Sequence, residues 1–203
     1  MRYFVTAIGT DSGKTVASAI LMEALGGDYW KPIQAGLPSD SETVKELVSN
    51  PLCKIHPEGY FLNTPASPHA SAKLDGISIS LVDLKPPETD RPLIIEGAGG
   101  TMVPLNDQDL VVDLIAHFKA IPVLVADLYL GSINHTLLTS QLLKSRNLEP
   151  KGIIFNGIPN PESEDIILKH TGYQVLLRIQ KETEFNQQLI RDYAQKLKEN
   201  WND

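Results

Sequence analysis

The amino-acid sequence predicts an α/β fold, a doubly wound and mainly parallel sheet with helices on both faces. Its apolar runs of strand length lack polar alternation, which is typical of strands buried on both sides in a parallel sheet. Segments with apolar residues at helical spacing separate these runs, and this alternation indicates a layered α/β architecture. The predicted strands are residues 3–8, 93–95, 121–126, 152–155 and 174–177.

The first apolar run, residues 3–8, leads into a loop that closes on Gly13, Lys14 and Thr15, and a helical pattern follows. A phosphate-binding loop requires this strand–loop–helix context. Lys14 could reach the β- and γ-phosphates, and the Thr15 hydroxyl could hold Mg²⁺. The usual first glycine of such a loop is replaced by Ile8. The stretch predicts binding of a nucleoside triphosphate, and an ordinary helix start is the alternative.

Lys31 and Asp40 follow the short apolar segment 28–30. Lys31 could offset charge on a transferred phosphoryl group or hold an anionic substrate. Considered alone, it is more readily interpreted as a solvated surface lysine. Asp40 stands at a predicted helix start, where an aspartate usually caps the first turn. Its functional alternative is a ligand of Mg²⁺, which takes one or two carboxylates together with phosphate oxygens and water.

Glu96 follows the predicted strand 93–95 and precedes the glycine-rich residues 97–100. An unpaired carboxylate buried at the end of an apolar strand would be costly. A carboxylate there, followed by a turn of small residues that can approach an anion, is instead typical of a Walker-B-like metal ligand. We therefore favour a metal-binding role for Glu96 over an incidental one.

Residues 50–92 have the least regular pattern and are rich in proline. A segment of this length with little periodicity is usually a functional excursion of a compact domain. At 203 residues the chain is long enough to bury a core without disulfide bonds. We therefore expect residues 1–203 to form a single nucleotide-binding catalytic domain.

Further helices are predicted after Asp40, after Asp109, from Ser132 and over residues 185–197. Gly131 and Ser132 could open a helix whose amides face an anion, although an ordinary helix cap explains the same residues. Asn156 follows a predicted strand, and its amide could bind the edge of an adenine or close a turn.

The net charge of −7 at pH 7 argues against nucleic acid or an anionic membrane surface as the main partner. Cys53 is the single cysteine of the chain, so no disulfide framework or cysteine metal cluster is expected. No apolar stretch approaches the ~20 residues of a membrane span, and no charged and apolar leader precedes the first predicted strand. We expect a cytoplasmic protein.

Taken in order, the motifs of residues 2 to about 156 closely resemble those of the dethiobiotin synthetases, a family of the P-loop NTPase superfamily. The motifs are Gly13-Lys14-Thr15, Lys31-Pro32, Ser39-Asp40, Ser67-Pro68-His69, Glu96-Gly97-Ala98-Gly99-Gly100 and Gly131-Ser132-Ile133-Asn134-His135. The resemblance implies an ATP- and Mg²⁺-dependent ring closure of 7,8-diaminononanoate with CO₂ to dethiobiotin, a step of biotin biosynthesis. The reaction would pass through a carbamate and a carbamic-phosphoric mixed anhydride and release ADP and phosphate.

The resemblance also implies roles for individual residues. Catalytic roles would belong to Lys31, Lys14 and Thr10. Nucleotide contacts would come from Asp11, Ser12, Gly13, Lys14, Thr15, Val16 and Asn156, with Asn156 at the adenine. Substrate contacts would come from Thr10, Lys31, Gly99, Gly131 and Asn134, and Thr15, Asp40 and Glu96 would surround Mg²⁺. Residues 131–134 would reach across the interface of a homodimer to the distal carboxylate of the substrate.

The sequence departs from the family pattern at Ala35, where a serine or threonine is usual, and at Tyr129, where some members carry a lysine. Two other functions remain as alternatives. A partition-type P-loop ATPase usually has an additional lysine near the start of the loop, and residues 7–9 contain none. A degenerate, non-catalytic nucleotide-binding module would not need so many converging charged residues.

Overall fold

A seven-stranded parallel sheet forms the centre of the protein, whose computed structural model describes residues 1–201. The strand order is β4-β2-β6-β1-β7-β8-β9, and β3 pairs with β5 in a separate two-stranded sheet. The strands are β1 (Arg2–Ala7), β2 (Asp28–Trp30), β3 (Ile33–Ala35), β4 (Ile55–His56), β5 (Tyr60–Leu62), β6 (Leu93–Gly100), β7 (Ile121–Asp127), β8 (Ile153–Asn156) and β9 (Val175–Ile179). The predicted strands are all present, with shifted ends.

Helices cover both faces of the sheet, as predicted for a doubly wound fold. The two faces are visible in β1, where Val5 packs with α1 and α7 and its neighbour Phe4 packs with α4 and Phe118. The helices are α1 (Lys14–Leu25), α2 (Asp40–Leu47), α3 (Pro68–Asp75), α4 (Val111–His117), α5 (Ser132–Ser145), α6 (Pro161–Thr171) and α7 (Gln187–Asn200). Within residues 1–201, none of them combines the length and the apolarity that crossing a membrane requires.

Two local predictions about strand and helix ends are wrong. The strand predicted to end before Glu96 continues as β6 to Gly100, with an irregular register against β1. The glycines allow this close packing, because a Cβ on Gly97 would lie 2.9 Å from Phe4 Cε1. Asp40 is the first residue of α2, and Ser39 is the N-cap.

Residues 50–92 are more regular than the sequence predicts. They contain β4, β5, α3 and a 3₁₀ turn at Leu81–Asp83. The strands are only two or three residues long, so they carry almost no periodicity that a sequence pattern could reveal. Pairing of β5 with β3 brings this segment beside the carboxyl edge of the main sheet.

Candidate active site

A cleft of about 700 Å³ opens at the carboxyl edge of the sheet. Ligands of open parallel sheets bind at this edge. The sequence-predicted residues that line the cleft are Thr10, Asp11, Gly13, Lys14, Thr15, Val16, Lys31, Asp40, Glu96 and Gly99. The cleft is also lined by Ile33, Gln34 and Ala35 of β3 together with Pro65, Ala66, Ser67 and Pro68.

The loop between β1 and α1 has the tight geometry that a phosphate cradle needs. Gly13 has φ 90° and precedes the first residue of α1, and a Cβ there would lie 2.5 Å from Asn156 Nδ2. Asn156 Nδ2 donates a hydrogen bond to the Ser12 carbonyl at 3.1 Å. Asn156 therefore holds the loop from the side of β8, and Ser12 itself is buried behind the cleft wall.

Lys14 folds over this loop and donates a hydrogen bond to the Gly9 carbonyl at 3.1 Å. The pKa of Lys14 lies below its ordinary value, because burial and then the nearby Lys31 ammonium disfavour its charged form. The Lys14 ammonium thus has an incomplete set of anionic partners, which phosphate oxygens would supply.

Thr15, Asp40 and Glu96 converge on one point of the cleft. Thr15 Oγ1 lies 2.9 Å from Asp40 Oδ1 and 3.0 Å from Glu96 Oε1. A hydroxyl has one proton, so it satisfies only one of these carboxylates at a time. Hydroxyl and carboxylate oxygens are the hard ligands that Mg²⁺ prefers, so this donor set fits the ion. Among residues 1–201, no group of three or more His, Cys, Asp or Glu forms an alternative metal site.

Lys31 is buried, so its interpretation as a solvated surface lysine is wrong. Lys31 Nζ lies 2.6 Å from Asp40 Oδ2 and 3.0 Å from Glu96 Oε1, and it donates to the Gly97 carbonyl at 3.0 Å. Burial lowers the pKa of Lys31, but attraction to Glu96 and Asp40 outweighs it and the net shift is upward. Burial likewise raises the pKa of Asp40, and the contacts with Lys31 and Thr15 reverse this to a net lowering. The ion pair between buried Lys31 and partly exposed Asp40 therefore remains charged.

Sequence reasoning missed two side chains that support this cluster. The Tyr29 hydroxyl donates to Glu96 Oε2 at 2.9 Å, and both side chains are buried. Gln34 Oε1 accepts a hydrogen bond from the Asp40 amide at 3.1 Å at the start of α2. A tyrosine in a buried strand must find a partner for its hydroxyl, and this was the available signal for Tyr29.

Gly131 and Asn134 lie outside the cleft, at the exposed start of α5. Tyr129, which precedes this helix, lies with its hydroxyl 2.5 Å from His135 Nδ1. Large apolar side chains are exposed around the helix start: Met102, Leu130 and Leu138. That Gly131 and Asn134 contribute to a site formed by two chains stays a prediction.

The chain is similar in sequence to proteins of known family. A family model described as an AAA domain matches residues 1–188. The ATP-dependent dethiobiotin synthetase BioD of Cytophaga hutchinsonii is 56% identical over 202 residues, which cover 98% of this chain and 98% of the relative. The protein of the same name in Christiangramia forsetii is 50% identical over 198 residues, which cover 97% of this chain and 95% of the relative.

Solved structures with the same fold are far more distant in sequence. The septum site-determining protein MinD of Pyrococcus horikoshii, complexed with Mg-ADP, superposes with a TM-score of 0.61 at 13% identity, covering 98% of this chain and 95% of that chain. A ParA family ATPase of Chlorobium tepidum superposes with a TM-score of 0.53 at 14% identity, covering 96% of this chain and 98% of that chain. At such identities the likeness concerns the fold alone, and it confirms the predicted doubly wound architecture.

Proposed function

We propose a function from the family: the chain belongs to the ATP-dependent dethiobiotin synthetases, and an AAA-domain model matches residues 1–188. The proposed reaction joins 7,8-diaminononanoate and CO₂ into the ring of dethiobiotin. ATP is consumed and ADP and phosphate are released. The observation that carries the assignment to this cleft is the cluster of buried Lys31 and Glu96 with partly buried Thr15 and Asp40, beside Lys14.

In the proposed reaction, one amine takes up CO₂ as a carbamate and releases a proton. A carbamate oxygen attacks the γ-phosphorus of ATP, and ADP leaves. The second amine then attacks the carbonyl carbon of the mixed anhydride, the bond from carbon to the phosphate oxygen breaks, and a proton leaves the nitrogen. Such chemistry needs positioning and charge stabilisation more than covalent participation by the protein.

The buried charges of the cleft suit these steps. Lys14 would exchange the Gly9 carbonyl for phosphate oxygens. The Lys31 ammonium, kept charged by Asp40 and Glu96, would hold the carbamate and its phosphorylated form. Thr15, Asp40 and Glu96 would hold Mg²⁺, which neutralises charge on the phosphate oxygens when it is bound.

The loop residues would divide between nucleotide and diamine. Thr10 and Asp11 are exposed on the cleft side of the loop, and we assign them to the diamine and the nucleotide. Gly99 has φ 67°, and a Cβ there would lie 3.5 Å from Thr10 Oγ1, which supports a contact between its backbone amide and the substrate beside Thr10. Gly13 and Val16 would contact the phosphates, with Ser12 contributing through its backbone because its side chain is buried. Asn156, on the β8 side, would contact the adenine.

We further propose a homodimer in which Gly131 and Asn134 of one chain contact the substrate of the other. The exposed apolar side chains near the start of α5 support an interface at this face. The acidic net charge of −7 makes nucleic acid and anionic membranes unsuitable partners. A single catalytic domain that works in the cytoplasm completes the proposal.

The deciding experiment measures ADP release from purified protein with Mg-ATP and bicarbonate, with and without 7,8-diaminononanoate, and identifies the organic product by mass. Diamine-dependent ADP release together with a cyclic urea is expected. Hydrolysis that ignores the diamine would instead assign the chain to the partition-type switches. ATP binding without turnover would indicate a degenerate module.

A further inference from the structure

We propose that Tyr29 is a positioning residue for Glu96, which it holds so that a single carboxylate oxygen faces the metal position and Mg²⁺ is favoured over larger cations. The inference rests on the proposed role of Glu96 as a metal ligand. It extends that role to a residue of β2 that lies behind the cleft.

The contact between the two side chains follows from the register of two neighbouring strands. Tyr29 of β2 pairs with Ile94 of β6, and Glu96 lies two residues further on, so it points to the same face. The Tyr29 hydroxyl donates to Glu96 Oε2 at 2.9 Å. Tyr29 is 0% exposed and Glu96 is 1% exposed. Water therefore cannot reach these atoms and replace the hydrogen bond.

This hydrogen bond makes the two oxygens of Glu96 unequal. Oε2 accepts from Tyr29, whereas Oε1 faces Thr15 Oγ1 and Lys31 Nζ, each at 3.0 Å. Rotation of the carboxylate that would present both oxygens to one cation would break the bond to Tyr29. The Tyr29 ring packs in the apolar cluster beneath α1, so the hydroxyl cannot follow that rotation.

The inequality of the two oxygens bears on the choice of cation. Mg²⁺ demands near-octahedral geometry and binds one or two carboxylates, whereas Ca²⁺ is larger and readily takes both oxygens of a carboxylate. A Glu96 restricted to one oxygen thus suits the smaller ion. Hydrogen bonds to metal-binding side chains commonly affect metal affinity by 10- to 100-fold.

The test compares Tyr29→Phe, which retains the ring, with the control Tyr173→Phe. Tyr173 accepts a hydrogen bond from Ser140 Oγ at 2.9 Å, away from the cleft. Binding of Mn²⁺ to the protein with saturating ADP is measured by electron paramagnetic resonance, and Mg²⁺ and Ca²⁺ are titrated as competitors. Thermal melting without cation is recorded for each variant, so that a loss of packing is measured separately.

We expect Tyr29→Phe to weaken Mg²⁺ binding by about tenfold and Ca²⁺ binding by less than threefold, while Tyr173→Phe changes neither. Equal weakening of both cations, or no change, would overturn the role of Tyr29 and leave the proposed function intact. If the unaltered protein with ADP bound neither cation, the assignment of Glu96 itself would be wrong and the inference would fall with it.

Discussion

A charged side chain is buried at each end of β2, and the two side chains have different kinds of partner. Asp28, at the start of the strand, is 2% exposed, and Lys31, one residue beyond its end, is 3% exposed. Asp28 accepts hydrogen bonds from Thr89 Oγ1 at 2.7 Å and from the Lys54 amide at 2.9 Å, and it lies 3.3 Å from His56 Nε2. These groups tie residues 50–92 to the sheet.

Lys31 instead meets two carboxylates that also line the cleft. A bound cation or phosphate could change the contacts of these two carboxylates. The partners of Asp28 instead connect residues 50–92 to the sheet and do not line the cleft. Under the proposed function, the amino edge of this parallel sheet would use its buried charge for stability and the carboxyl edge would use its buried charge for chemistry.

Replacement of Lys31 by alanine is expected to have the largest effect, and that effect is on the rate of the reaction. Loss of the ammonium removes the charge that would stabilise the carbamate and its phosphorylated form, so the rate of dethiobiotin formation should fall by about 100- to 1,000-fold. ATP binding should persist. The free energy of unfolding should also fall, because Asp40 and Glu96 lose their counter-charge, so the rate is expressed per folded molecule. The control is Lys45→Ala, on the exposed face of α2. Normal turnover of Lys31→Ala would remove the role assigned to this lysine.

Replacement of Asp28 by alanine should lower the stability of the protein and leave its turnover unchanged. It leaves the partly buried donors, the Thr89 hydroxyl and the Lys54 amide, without their acceptor, so the free energy of unfolding should fall by about 1–3 kcal/mol, measured by urea denaturation. Turnover per folded molecule should stay unchanged, since Asp28 lies at the far end of the strand. A loss of turnover without a loss of stability would contradict the division between the two edges.

The contribution of Asp28 should also depend on pH. Burial raises the pKa of Asp28. The opposing effect is larger: hydrogen bonds from Thr89 and the Lys54 amide and the contact with His56 bring the pKa below its ordinary value of 3.8. Its stabilisation is therefore present above about pH 4 and is lost as the pH falls through the lower pKa of the folded state. The stability difference between the unaltered protein and Asp28→Asn should shrink on acidification, and a constant difference would refute this cause.

The smallest expected effect comes from Ala35→Ser, on the cleft wall of β3. A serine restores the hydroxyl that is usual in the family, and one neutral hydrogen bond to the diamine should lower its KM by about two- to tenfold. Stability should change little because Ala35 is partly exposed. Steady-state kinetics at varied diamine concentration measure the effect, and an unchanged KM would mean that the diamine does not contact this position.

Much of the fold and of the candidate site could be predicted from local patterns. The apolar runs predicted the main strands, and the loop around Gly13 predicted residues that line the cleft, because both signals lie within a few consecutive residues. The predictions failed at the end of β6 and in residues 50–92. There the outcome depends on how closely glycines approach a neighbouring strand and on strands too short to show a period.

The identity and order of the residues were enough to predict a doubly wound sheet, a phosphate loop and a carboxylate at a strand end, because periodicity and loop chemistry are local. Three contacts depend on the folded arrangement: Lys31 is buried between Asp40 and Glu96, Tyr29 donates to Glu96, and Asn156 donates to the loop. These contacts join residues from 9 to 144 positions apart. Their distances are set by strand order and register, which no single segment of the chain encodes.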